Sequence, residues 1–377
     1  MTWTSISGVA RVPILCIIIV LRLSRASTTF GTIETGLVVS SEYASIFKGT
    51  EDHEYKSLLE YLRVFFSAVN VILGNTQKET LDIRLVISAI VILTEETEIL
   101  IKTYPGHDDL IEAATPDALF DFMSLNGHLF ADLDIALYLS KLKYAMPYGG
   151  NGRFRRVRGM AYAGAACSSF SGALIYDDGK LEGLQTAAHE VLHLLGSQHD
   201  GQPAIEYIPN SPGAEDCPDN PQYVMAANPT SERVSLSNCT RDQVLAFLQT
   251  PEAACLLNTE PRRSLPIFEA LLRKPLLNAS KYCNYRYKDA ATVEYMPNYN
   301  SDYNIEKCYL VCMTIDSNGE KEYKIDPAPD YTPCSETSKQ VCIKGLCRDI
   351  PTKGKPFHQQ VKELANRRLI SDLAIDE

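Results

Sequence analysis

The sequence predicts an α+β chain in two parts, and three observations carry that expectation. Strand signals and amphipathic helix signals alternate through the first two thirds. The cysteines fall into two even sets: Cys167, Cys217, Cys239 and Cys255 in the middle, and Cys283, Cys308, Cys312, Cys334, Cys342 and Cys347 crowded into the last third. Between them, "NTEPRRSLPIFEALLRKP" combines three prolines with a charge cluster, which puts a domain boundary near 256–275.

The elements follow in order. "TGLVVSSEY" (35–43) reads as the first strand. "EYKSLLEYLRVFFSAVNVILG" (54–74) is a long amphipathic helix with Leu58, Leu62, Phe65, Phe66, Val69 and Leu73 near one face, and Gly74 suits its end. "DIRLVISAIVIL" (82–93) is rich in β-branched residues and reads as a buried strand. "TPDALFDFMSLNG" (115–127) is a helix with Thr115 as cap and Pro116 at its first position. "ALYLS" (136–140), "GMAYAGAAC" (159–167) and "SGALIYDD" (171–178) are further strands, and a helix follows. The last third is rich in Tyr, Asn, Asp and Pro with little periodicity, as in a cysteine-stapled, loop-dominated module. The tail 351–377 keeps helical spacing at Val361, Leu364 and Leu373.

Composition narrows the function classes. With 377 residues and 45% hydrophobic content the chain can bury a sizeable core, and a net charge of −11 argues against a nucleic-acid partner. Near the N-terminus, Arg11 precedes the apolar run "VPILCIIIVL" (12–21), with small residues at Ala26 and Ser27. That is the pattern of a signal peptide over 1–26, and no later segment is expected to span a membrane. Cys16 lies inside that run, which leaves ten cysteines, an even number suited to an oxidising, extracellular compartment. Asn238-Cys239-Thr240 and Asn278-Ala279-Ser280 are candidate glycan sites, whereas Pro229 excludes Asn228.

The chemistry concentrates in "TAAHEVLHLLGSQHDG" (186–201). On a helix, residues four apart share a face, so His189 and His193 can point at one ion. A catalytic zinc takes three protein ligands and one further position. His199 becomes the third if the helix stops and the chain doubles back, and Gly196 permits that stop. Glu190, one residue beyond His189, is placed to hold a water beside the metal as general base rather than to ligate. His53, His107, His128 and His358 have no ligand spacing.

"HEVLHLLGSQHD" resembles the H-E-x-x-H-x-x-G-x-x-H-D signature of the metzincin metalloproteases, and Asp200 resembles their reprolysin (adamalysin) branch. The resemblance extends to "CPDNPQYVMAA" (217–227), with Met225 at the place of the family's methionine turn. It reaches "GLVVSSEY", where Ser40 replaces a frequent Asp, and "GMAYAGAACS", similar to the peptide-binding edge strand. "SLSNCTRDQVLAFL" (235–248) is similar to the C-terminal helix, and "CYLVC" and "PCSETSKQVCIKGLC" to cysteine-rich modules that follow such domains. Leu192 stands where Gly is frequent in this branch. The combination is most similar to secreted salivary metalloproteases of ticks.

The resemblance implies a metzincin catalytic domain over 30–257, with a twisted mixed sheet, long helices and a zinc cleft. A small disulfide-rich domain over 275–350 and the tail 351–377 follow. It implies Cys167–Cys255 and Cys217–Cys239 disulfides and one Zn²⁺ on His189, His193 and His199, and it allows a calcium ion, for which no clear loop is visible. It implies a secreted endopeptidase that cleaves extracellular matrix or clotting proteins, with zinc-bound water as nucleophile, Glu190 as base, and the downstream wall near 222–232. No stable membrane anchor is expected. No cysteine lies between Ser27 and Cys167, so a cysteine-based latency segment is not expected. The competing reading is a non-enzymatic adhesion or anticoagulant protein acting through the cysteine-rich domain, without an RGD tripeptide. "RFRR" (153–156) reads as a solvated basic loop, and the Asp pairs at 108–109 and 177–178 read as solvated turns.

Overall fold

The computed structural model describes residues 29–47, 55–74, 81–94, 102–112, 115–147, 153–227, 234–257, 279–328, 332–335, 340–343 and 345–349. The expected signal segment, Cys16, His53, Asn278, His358, the tail and most of the proline-rich boundary lie outside them.

The architecture is α+β. Its centre is a five-stranded sheet in the order β2-β1-β5-β9-β8. These strands are β1 (Thr29–Val39), β2 (Leu81–Ile92), β5 (Ile135–Ser140), β8 (Gly159–Ala161) and β9 (Gly172–Tyr176). The first four in that order run parallel, and β8 runs antiparallel at the edge. Both faces of the central strands are covered, which is why they read as continuous apolar runs rather than alternations. Leu37, Val39, Leu137 and Leu139 enter the larger core with Leu58, Leu62, Phe65 and Val69 of helix α2 (Lys56–Gly74). Val38, Ala136, Tyr138 and Leu174 face a second core with Leu119 and Phe122 of α3 (Thr115–Leu125).

Helix α2 is long and apolar enough to cross a membrane, a length the sequence had been read as reaching nowhere after the N-terminal run. Its predicted apolar face is buried, and it packs on β2 and on α5 (Leu184–Leu194) as a core helix.

Several boundaries differ from expectation for local reasons. β1 stops at Val39 because the Ser40 hydroxyl accepts the Tyr43 N–H at 3.3 Å and starts the short helix α1 (Ser41–Ala44). Helix α3 begins at Thr115 itself rather than after it. The "GMAYAGAAC" segment is extended only over 159–161. Gly164 and Cys167 then take positive φ, and the Gly164 and Ala166 N–H groups turn to the His193 and Leu194 carbonyls at 2.8 and 3.0 Å. "RFRR" is not a loop: β7 (Phe154–Val157) pairs with β6 (Lys143–Pro147), the Phe154 ring packs on Tyr104 and His107, and Arg156 pairs with Asp109. With β3 (Thr103–Tyr104) and β4 (His107–Ile111) they form a second sheet in the order β3-β4-β6-β7.

Asp177 is the largest departure. Expected in a solvated turn, it is fully buried. Its Oδ2 accepts the Tyr43 and Tyr61 hydroxyls at 2.7 and 2.6 Å and the Gly179 N–H at 3.0 Å, and its Oδ1 accepts the Gly183 N–H at 2.9 Å. Burial pushes this carboxyl up, while those four donors pull it down. One side chain thereby ties α1, α2 and the turn that launches α5 to the end of β9.

The described C-terminal residues carry more regular structure than their sequence suggests. Helix α7 (Ala279–Arg286) precedes an antiparallel sheet of β10 (Thr292–Tyr295), β11 (Tyr309–Ile315) and β12 (Lys321–Pro327), and a hairpin of β13 (Gln340–Ile343) and β14 (Leu346–Asp349). Disulfides Cys283–Cys312, Cys308–Cys342 and Cys334–Cys347 staple it. Cys167–Cys255 and Cys217–Cys239 form as the resemblance implied. Helix α7 lies against α2: the Tyr285 ring meets Tyr61 edge-on at 5.8 Å. Glu182 accepts from Arg286 of α7 at 3.1 Å and from Arg158, just ahead of β8, at 2.9 Å.

Asp177→Ala leaves two hydroxyls and two backbone N–H groups without their buried acceptor. It is expected to lower unfolding free energy by about 3–5 kcal/mol in denaturant titrations. A loss under ~1 kcal/mol would show that the carboxylate does not hold these elements together.

Candidate metal centre

Helix α5 presents His189 and His193 one turn apart, and its end creates the third position. The Gly196 N–H bonds the His193 carbonyl at 2.8 Å and the Ser197 N–H bonds the Leu192 carbonyl at 3.0 Å, the paired hydrogen bonds of a Schellman stop. Gly196 sits at φ +87°, and a Cβ there would come within 2.8 Å of the Phe247 Cβ. Glycine is therefore required both by its backbone and by its neighbour. The chain reverses, and the His199 ring returns to face the other two.

Helix α6 (Asn238–Phe247) fixes that reversal. Its Phe247 packs on Gly196, its Gln243 carbonyl oxygen accepts the Gln198 N–H at 3.1 Å, and its cap Ser237 donates to Asp200 at 2.6 Å. The Cys217–Cys239 disulfide anchors the first turn of the same helix. The methionine turn supplies the rest. The Val224 carbonyl lies 2.7 Å from His189 Nδ1, and the Met225 carbonyl accepts the Asp200 N–H at 2.9 Å. Two adjacent carbonyls thus hold the first histidine and the residue after the third. Met225 itself is fully buried.

The three rings converge, with centroids 4.6–4.9 Å apart. One ring nitrogen from each lies within 4.8 Å of the others, and His189 Nε2 and His199 Nε2 are 3.0 Å apart. Two nitrogens ~2.1 Å from one tetrahedral ion stand roughly 3.4 Å apart, so the cluster fits zinc. His189 Nδ1 and His193 Nδ1 each face a carbonyl at 2.7 Å, which places the ring proton there and leaves Nε2 with a free lone pair. Burial holds His189 down at about 4, lowers His193 well below its ordinary value and lowers His199. At neutral pH all three rings are uncharged, the form that ligates a metal.

Glu190 is buried on the side of α5 that faces β8. Burial pushes its carboxyl up to about 8, and a cation beside it would draw it back down. Gly159, the first residue of β8, touches it: a Cβ there would fall 2.5 Å from Glu190 Oε1. The sequence reading did not single out Gly159, Val224, Ser237 or Gln243. Each acts across 31–45 positions of chain, where no local pattern reveals a partner. Asn238 is exposed at the start of α6, and residues 228–232 of the expected downstream wall lie outside the described residues.

Three converging neutral imidazoles, with a buried carboxyl from the same helix set against Gly159 of the edge strand, match the zinc metalloendopeptidase class. Sequence comparison reaches the same class. The reprolysin model of Metallo-peptidase family M12 matches residues 32–238, and the chain belongs to that family. It is similar to a protein of Bombyx mori described as "A disintegrin and metalloproteinase with thrombospondin motifs like", 30% identical over 282 residues, 70% of this chain and 38% of that protein. It is also similar to an antarease-like venom metalloproteinase of Tityus serrulatus, 29% identical over 235 residues, 59% of this chain and 95% of that protein. A third similarity, to human "A disintegrin and metalloproteinase with thrombospondin motifs 13", is 32% over 135 residues and spans 35% of this chain and 8% of that protein. The match therefore spans well under half of the silkworm protein and nearly all of the scorpion one.

Elemental analysis of the chain with its disulfides formed is expected to find one zinc per molecule, and His199→Ala is expected to lose it at micromolar free zinc. Equal zinc content in parent and variant would remove His199 from the ligand set.

Proposed function

We infer that the chain is a secreted zinc endopeptidase that cleaves extracellular proteins, and that residues 30–257 form its catalytic domain, with a separate disulfide-rich domain over 275–350. The observation that carries this reading is that one helix supplies two of three converging imidazoles and a buried carboxyl, Glu190, set against Gly159 at the start of a sheet edge left unpaired among the described residues. His189, His193 and His199 would hold the ion. When bound, zinc supplies Lewis acidity, polarising a carbonyl and acidifying water.

The protein's own groups do the rest. The free edge of β8 hydrogen-bonds an extended peptide backbone and fixes where its scissile bond lies. Glu190 takes the proton of the attacking water at a carboxylate oxygen and returns it to the departing amine nitrogen. Its buried surroundings keep that proton from exchanging freely with solvent. Gly159, lacking a Cβ, lets peptide and carboxylate share one space. Secretion is supported by the N-terminal apolar run, by five disulfides and by the venom origin of the scorpion relatives. Matrix or clotting proteins are the substrates this reading favours.

Glu190→Gln keeps shape and hydrogen-bonding size but removes the base. It is expected to retain zinc and to lose peptide hydrolysis by about 10²–10⁴-fold on casein or gelatin. Parent-like hydrolysis by that variant defeats the assignment. Gly159→Ala must displace Glu190 and is expected to cut kcat by at least ~10-fold with zinc content unchanged. Unaltered kcat would show that the close approach has no part in turnover.

A further inference from the structure

Three aromatic side chains gather where the described edge strand ends. Tyr162, the residue after β8, is 53% exposed, and Phe170, at the turn into β9, is 55% exposed. Both rings lean on Phe120 of α3, at centroid distances of 5.8 and 5.3 Å, and lie 6.4 Å from each other. Phe120 is anchored in the protein, whereas the other two keep half their surface in water beside each other. Paired, half-exposed rings of this kind mark a contact surface rather than a core.

The backbone beside them explains what would cover them. The Ala163 carbonyl is taken by the Tyr207 hydroxyl at 2.9 Å, and the Gly164 N–H by the His193 carbonyl at 2.8 Å. A peptide paired along β8 therefore finds no further edge beyond Tyr162. Its next side chain must cross the Tyr162 and Phe170 rings. The distance sets the position: Glu190 lies at Gly159, where the endopeptidase reading puts the reacting bond, and a peptide extended along β8 reaches the level of Tyr162 three residues on, about 10 Å away.

We propose that Tyr162 and Phe170, backed by Phe120, form a specificity platform that receives an aromatic or large aliphatic substrate side chain about three residues from the scissile bond. This rests on the endopeptidase reading above, and its occupant is continuous with the peptide on β8. The rings offer apolar faces and edges and no charge, so they favour Phe, Tyr, Leu or Met over Gly, Ser or Asp at that position. Tyr162 and Phe170 are specificity-determining residues in this proposal and take no part in bond cleavage.

The test uses the full-length secreted enzyme and two sets of fluorogenic peptides, in which the third residue on either side of the cleaved bond is Phe in one member and Gly in the other. The parent is expected to cleave the Phe member of one set with about tenfold higher kcat/KM. In Phe170→Ala and Tyr162→Ala that ratio falls to within twofold of one, whereas a purely structural defect would lower both members alike and leave the ratio intact. A parent that cleaves every peptide without a Phe preference on either side, or a preference that survives both substitutions, overturns the platform while leaving the endopeptidase reading in place. Sedimentation of the parent provides a second readout. Self-association abolished by Phe170→Ala, with an unchanged peptide ratio, would assign the rings to contact between copies of this chain and overturn the proposal. Absence of any peptide cleavage by zinc-loaded parent would defeat the endopeptidase reading itself, and the platform with it.

Discussion

Everything at this site depends on bringing a third uncharged imidazole to two that a helix has already aligned. Residues four apart on α5 need no help from the rest of the fold, because helical pitch alone stacks His189 over His193. The third ring must approach from outside the helix axis, so the chain has to stop, reverse and stay reversed. Gly196 permits the stop, and Phe247, Gln243 and Ser237 of α6 hold the reversal against its own flexibility. Without those contacts the loop from Gly196 to Asp200 would sample many shapes, and the ordering entropy would fall on metal binding.

The sheet serves the same end at longer range. Its central strands β1, β5 and β9 are buried and act as a rigid floor, while β8 is antiparallel, short and, among the described residues, unpaired along one side. The segment after β8 donates to the last carbonyls of α5, so the edge and the histidine helix are joined by backbone rather than by side chains. Glu182 extends the connection, since its carboxylate is shared by Arg158 at the approach to β8 and by Arg286 of the C-terminal helix α7. The ion pairs are partly exposed and weak singly, and the buried Tyr61 that meets Tyr285 gives the contact its apolar support.

What could be read from the sequence was what depends on near neighbours. His189, Glu190, His193, Gly196 and His199 fall within eleven positions, and the spacing of the first three maps directly onto helix geometry. Helix α2 and strands β2, β5 and β9 are apolar enough to declare themselves, and the Cys167–Cys255 and Cys217–Cys239 disulfides followed from resemblance. What escaped was decided by tertiary environment. Asp177 looks like any aspartate before a glycine until Tyr43 and Tyr61, more than a hundred residues earlier, close over it. "RFRR" reads as solvated because its charges dominate, yet backbone pairing to β6 and the single ring of Phe154 make it a strand. Gly159 carries no signal at all, since its importance is the room it leaves for a carboxyl 31 positions away.

The split of the three imidazoles between a helix and a loop has a consequence for maturation. Strand β5 joins β1 across about a hundred residues, and the Cys167–Cys255 bond spans 88, so the sheet and its staples close late and slowly. Before that closure a nascent chain can offer an ion no more than the helical pair. Under the proposed ligand set, all three rings would meet only in molecules whose topology is complete, so a filled metal site would report a finished fold.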